Sequence, residues 1–172
     1  MAGSSNDIKK TNAARRLDEC GVAYELIRFD FDGSDLSAER AASDIGMPFE
    51  LVYKTLVLRG DKTGVLEACV PAGRELDLKA LAALSSNKSV AMVNVRELKP
   101  LTGYDRGGCS PIGIKHYPVY IHVDALNHER IAVNAGARGL LFLMSPRDLV
   151  RVTGATAGNI AHSASFDRVS RT

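Results

Sequence analysis

The feature that most constrains this chain is a pair of apolar, β-branched runs, VYKTLVL (52–58) and VLEACVP (65–71), separated by the turn RGDKTG. Two runs of strand length around a glycine-containing break fold back on each other as an antiparallel hairpin. Along the first run, a period of two places Val52, Lys54, Leu56 and Leu58 on one face and Tyr53, Thr55 and Val57 on the other. Both faces read as buried, so the hairpin belongs in the interior of a sheet. Lys54 breaks the pattern. A buried ammonium without a partner is costly, so this lysine either stands at the rim of a pocket or marks a strand end.

Around the hairpin, the pattern alternates between helix and strand. Residues 8 to 20 carry Ile8, Ala13, Leu17 and Cys20 near helical spacing, and Gly21 follows as a stop. VAYELIRF (22–29) alternates as a strand, and 30–35 is turn chemistry around Gly33. Ser37 caps a helix over AERAASDI, closed by Gly46 and Pro48, and Asp77 caps LKALAAL. SVAMVNV (89–95) reads as a strand. Residues 99 to 117, rich in glycine and proline, read as one long structured loop of the kind that usually has a function. VYIHVDA, RIAVNAG and GLLFLM are three further strands, and Ser145-Pro146 opens a last helix. About seven strands and four helices result. The expected fold is α/β (α+β), with a mixed, mostly antiparallel, barrel-like sheet and surrounding helices.

The chain has 172 residues, 45% hydrophobic and 24% charged, which suits one domain with a sizeable core. The domain is expected over 8–162, between small, polar tails at 1–7 and 163–172. No apolar stretch is long enough for a signal peptide or a membrane span. The 22 basic and 20 acidic side chains give a net charge of +2, too little to coat a duplex. No DNA or membrane partner is therefore expected, and any nucleic-acid contact must be local. Cys20, Cys69 and Cys109 are widely spaced and include no CxxC pair, which points away from a disulfide framework and towards a reducing cytoplasm.

Neither a metal nor a cofactor is expected. The four histidines form no ligand motif with the cysteines, and there is no GxGxxG or phosphate-binding GK[ST] loop. Cys109, in the glycine loop, is either a thiol nucleophile or a small side chain that fits; the sequence names no base to activate it. The segment GGCSPIG is either a tight turn or a loop whose amides converge on one oxygen, with glycines giving close approach and Pro111 stiffening the exit. If Lys54 and this loop are two halves of one site, they supply a cation and fixed donors without an acid or base of their own. That combination suits ester cleavage by positioning and electrostatics.

In order and separation, VYKTLVL, VPAGRELDLKAL, TGYDRGGCSPIG and NAGARGLLFLMSPRDLVRVTGA resemble the YbaK/EbsC family, relatives of the editing domain of prolyl-tRNA synthetases. The resemblance spans about residues 9 to 162. It implies a free-standing, metal-independent aminoacyl-tRNA deacylase that clears cysteine from proline tRNA, or another small residue such as alanine. It implies a catalytic role for Lys54 with Gly107 and Gly108. It also implies substrate contacts from Thr55, from Cys109, Ser110 and Pro111 of the GxxxP loop, and from Phe29, Asn134 and Gly136. The implied partners are the acceptor end of aminoacyl-tRNA and prolyl-tRNA synthetase. Lys115, beside the loop, is the expected tRNA contact. The alternative is a non-catalytic tRNA- or synthetase-binding, or regulatory, module of EbsC type. Phe29, Asn134 and Leu141 stand where the cysteine-clearing branch carries tyrosine, serine and aspartate, which changes how an α-amino group is held.

Overall fold

The computed structural model describes residues 9–30, 33–113 and 116–163. In chain order its elements are α1 (Asn12–Glu19), β1 (Tyr24–Arg28), α2 (Ala38–Ile45), β2 (Val52–Gly60), β3 (Gly64–Pro71), β4 (Arg74–Leu76), α3 (Leu78–Leu84), β5 (Val90–Met92), α4 (Val95–Thr102), β6 (Val119–His122), β7 (Ile131–Asn134), β8 (Leu140–Met144), α5 (Pro146–Thr153), β9 (Thr156–Gly158) and β10 (Ala161–Ser163). The hairpin of β2 and β3 is the centre of an eight-stranded sheet ordered β1-β8-β7-β2-β3-β6-β9, with β5 also pairing β2. β4 and β10 form a separate ribbon. The sheet is mixed: β2–β7, β3–β6 and β6–β9 are parallel, the other ladders antiparallel. Its ladder has two ends, β1 and β9, and is not closed into a barrel.

The period of two sorts the core into two faces. Tyr53, Cys69, Ile121, Val133 and Phe142 project to the side covered by α1 and α5, where they meet Ala13, Leu17 and Leu149. On the opposite face lie two separate clusters. Leu58, Leu66, Ala68 and Val70 pack with Leu81 and Ala82 of α3. Val52, Ala132 and Leu141 pack with Ala41 and Ala42 of α2. Lys54 has the parity of Val52 and Leu58, so it falls between these two clusters.

Several boundaries differ from the sequence reading. Residues 95–102 form a helix, not the end of a strand and the start of a loop. Asn94 Oδ1 accepts from Arg96 N at 3.0 Å and Glu97 Oε2 accepts from Asn94 N at 3.1 Å, a reciprocal cap that outweighs the strand preference of the valines. Strand β6 stops at His122, and Val123–Asn127 is a 3-10 turn. The short strands β4, β9 and β10 were not foreseen, because three residues carry no usable period. The expected tails lie outside the described residues, apart from Ser163, which ends β10. Ile8 and Lys115 lie outside them too.

Candidate active site

The site begins with a gap in the sheet. On one edge, β2 pairs with β7 only through Val52 and Tyr53 and with β5 only through Leu58 to Gly60. Val52 O accepts from Ala72 N on the β3 side at 2.7 Å, whereas Val57 O accepts from Val93 N on the β5 side at 3.2 Å. Backbone direction alternates along a strand, so the N–H and C=O of Thr55 point into the gap. Among the described residues neither has a partner across it. An unpaired strand edge is a ready template for a ligand's polar atoms.

A cavity of about 420 Å³ opens at this gap. Its floor is residues 52–57 of β2; α2 and the segment before it supply Asp35, Leu36 and Glu39; β5 and α4 supply Met92 and Leu98; and the loop after α4 supplies Arg106, Gly107 and Cys109. Phe29, Asn134 and Leu141 complete the wall. The cation of β2 and the glycine loop thus border one hollow.

Lys54 is not alone there. Its ammonium lies 3.5 Å from Glu39 Oε1, with the two side chains 26% and 36% exposed. The sequence reading foresaw no carboxylate beside this lysine; Glu39, fifteen residues away on α2, corrects it. The same Oε1 accepts from Gly73 N at 2.9 Å. Burial alone would raise the Glu39 pKa, but the amide of Gly73, its own amide and the Lys54 charge outweigh it and hold the group below the usual carboxylate range. Glu39 therefore stays ionised and fixes the lysine's direction.

The loop is built to hold a shape. Asn134 Nδ2 donates to Gly107 O at 3.0 Å while Asn134 Oδ1 accepts from Gly136 N at 2.7 Å, and Arg138 Nε donates to Arg106 O at 2.8 Å. Tyr104, buried beneath, donates to Ile112 O at 2.7 Å. Gly107 has φ +81°, a left-handed conformation that favours glycine, and an added Cβ would also press on the Leu36 side chain, 2.9 Å from its Cδ2. Gly108 is tight for a different reason: an added Cβ would press on the backbone of Ala137 and Arg138 at 3.3 Å.

Of the residues anticipated for the site, Lys54, Thr55, Phe29, Gly107, Cys109 and Asn134 line the cavity. Gly108, Ser110, Pro111 and Gly136 do not. Gly108 N donates to Asp105 O at 2.9 Å inside the loop's own turn, so that amide is already committed. Ser110 is fully buried and its Oγ accepts from Ile112 N at 3.2 Å. Pro111 borders a separate small hollow near His116. The Cys109 thiol is raised in pKa, mainly by burial, and so is not an activated nucleophile.

The sequence reading also missed Glu67. It is 3% exposed on β3, opposite Val57 of β2 and Val119 of β6, and burial lifts its pKa to about 8. Its charge adds to burial in raising Tyr104 and Cys109. A glutamate inside VLEACVP has no partner in the sequence pattern, and that was the available signal.

The fold recurs in known proteins. A crystal structure described as a candidate trans-editing enzyme for prolyl tRNA synthetase superposes with a TM-score of 0.76 and 25% identity, covering 90% of this chain and 100% of that one. EbsC of Enterococcus faecalis, named as a candidate Cys-tRNA(Pro)/Cys-tRNA(Cys) deacylase, is 41% identical over 146 residues, 84% of this chain and 89% of its own length. YwhH of Bacillus subtilis, which carries no described activity in its name, is 26% identical over 121 residues, 70% of this chain and 76% of its own. Residues 35–152 match the model of the aminoacyl-tRNA editing domain, and the chain belongs to that family.

Proposed function

We propose that this chain is a free-standing deacylase that hydrolyses the ester between a wrongly attached small amino acid and the terminal ribose of a tRNA, with Cys-tRNA(Pro) the first substrate to test. The observation that carries the reading is one cavity shared by Lys54 with Gly107 and Cys109 of the loop. As the ester carbonyl is attacked, its oxygen becomes negative. Lys54, aimed by Glu39, and the Thr55 N–H, unpaired among the described residues, meet that charge without reorganising. The nucleophile is water or, for a cysteine ester, the substrate's own thiol. Attack breaks the acyl–oxygen bond and the departing ribose oxygen takes up the proton.

The walls limit the amino acid. Phe29, Val52, Met92, Leu98 and Leu141 make the hollow largely apolar, which suits a short uncharged side chain. With leucine at 141, the carboxylates left on the wall are Asp35 and Glu39, and the α-ammonium of the substrate is received on that side. Prolyl-tRNA synthetase is the partner this reading places nearest, since it would generate the mischarged tRNA.

The test is release of amino acid from purified tRNAs mischarged with cysteine, alanine and serine, in the presence of the protein and of chelator. Release from at least one supports the reading and names the substrate. Binding of all three without release would make the chain a non-catalytic module.

A further inference from the structure

Beside the ester cavity lies a second, more open concavity of about 1010 Å³. Four cations line it, Lys9, Arg28, Arg40 and Arg138, against the carboxylates of Asp30 and Asp44. They come from four parts of the chain: the segment before α1, the end of β1, α2, and the turn between β7 and β8. Asp44 is already met by Arg40 Nε, 2.9 and 3.0 Å from its two oxygens. Lys9 and Arg28 are exposed and form no ion pair among the described residues. In a chain whose net charge is only +2, this is a local concentration of positive charge.

The two hollows meet. Phe29 and Gly139 line both, and Phe29 N donates to Gly139 O at 3.0 Å, so the shared wall is pinned. The first cavity has room for an aminoacyl group and its sugar, and the wall that the two hollows share gives the strand bearing them a way out. Beyond it stand the cations, with the half-buried Phe29 at the crossing offering a face on which a base can stack. Arg138 also holds Arg106 O, so a phosphate held here bears on the loop that borders the ester.

We propose that the concavity lined by Lys9, Arg28, Arg40 and Arg138 seats the phosphodiester backbone of the single-stranded 3′ end of tRNA, with Phe29 stacking on a base at the passage into the ester cavity. This rests on the deacylase reading for the identity of the strand. The grip lies on the β1–α2 side of the cavity.

The experiment uses the full chain and the charge-reversed double variant Lys9→Glu/Arg28→Glu, with Lys79→Glu/Lys88→Glu as a control at exposed positions off the concavity. Thermal melts establish that all are folded. Binding of an uncharged RNA hairpin ending in single-stranded CCA is followed by fluorescence anisotropy across a salt series. The Lys9/Arg28 variant is expected to lose affinity by about tenfold or more, with the slope of log K against log salt shallower by about 1.4, as for two lost phosphate contacts on a single strand. The control pair is expected to bind as the wild type does. Unchanged affinity in the Lys9/Arg28 variant, or an equal loss in the control, overturns the proposal. A separate arm measures turnover of an aminoacyl-adenosine ester, which has no phosphate and reads the ester cavity alone. RNA binding that depends on Lys9 and Arg28 without turnover of either ester would defeat the deacylase reading and leave the RNA groove standing. Turnover of charged tRNA with an unchanged KM in the variant would do the reverse.

Discussion

At the scale of single residues, the molecule treats its two unexpected charges oppositely. Lys54 is partly exposed and partnered, so it stays where a substrate can reach it. Glu67 is buried on a face of the sheet, and that burial lifts its pKa. In the unfolded chain it would titrate at 4.5, in the folded chain at about 8. Between those values the folded state keeps a proton that the unfolded state has released. Its stability is therefore highest below the lower value and declines as pH rises through the upper one, by an amount on the order of a few kcal/mol. Glu67→Gln removes this dependence. Urea unfolding at about pH 5 and about pH 8.5 is expected to show the variant gaining on the wild type at the alkaline end, and parallel curves would show that the carboxyl is not sealed. Lys54 was legible in the sequence because a cation in an alternating apolar run has few explanations. Glu39 was not, because an acid near a helix N-terminus is an ordinary dipole partner and its contact with Lys54 arises only from packing.

At the scale of elements, the hairpin of β2 and β3 was readable from period, composition and turn. What could not be read is that β2 changes partners, from β7 to β5, and leaves Thr55 uncovered between them. That gap is set by where α4 and β5 begin, and the reading there followed valines instead of the Asn94-x-x-Glu97 cap. The cap bears weight: Asn94→Ala is expected to cost about 1 kcal/mol in denaturant unfolding. Because α4 carries Leu98 on the cavity wall, the variant is also expected to raise KM for the charged tRNA. No change in either quantity would place the start of α4 under the control of its other contacts, such as Arg59 to Glu97 at 3.1 Å.

At the scale of the whole molecule, the site is assembled where three covered regions fail to meet. Helices α2 and α3 bury the two ends of one sheet face, the loop after α4 closes over the gap, and Lys54 occupies what remains. The family blocks in the sequence pointed to the lysine and the loop, but not to their spatial relation or to the basic hollow alongside, because both depend on segments far apart in the chain. The central claim is that the ammonium at position 54 stabilises charge formed during ester cleavage. Single-turnover deacylation of one mischarged tRNA by the wild type and by Lys54→Ala, with melting curves alongside, tests it most directly. The account predicts a rate lower by about 100-fold or more in a variant that melts as the wild type does. A variant that is folded and cleaves as fast as the wild type would contradict it.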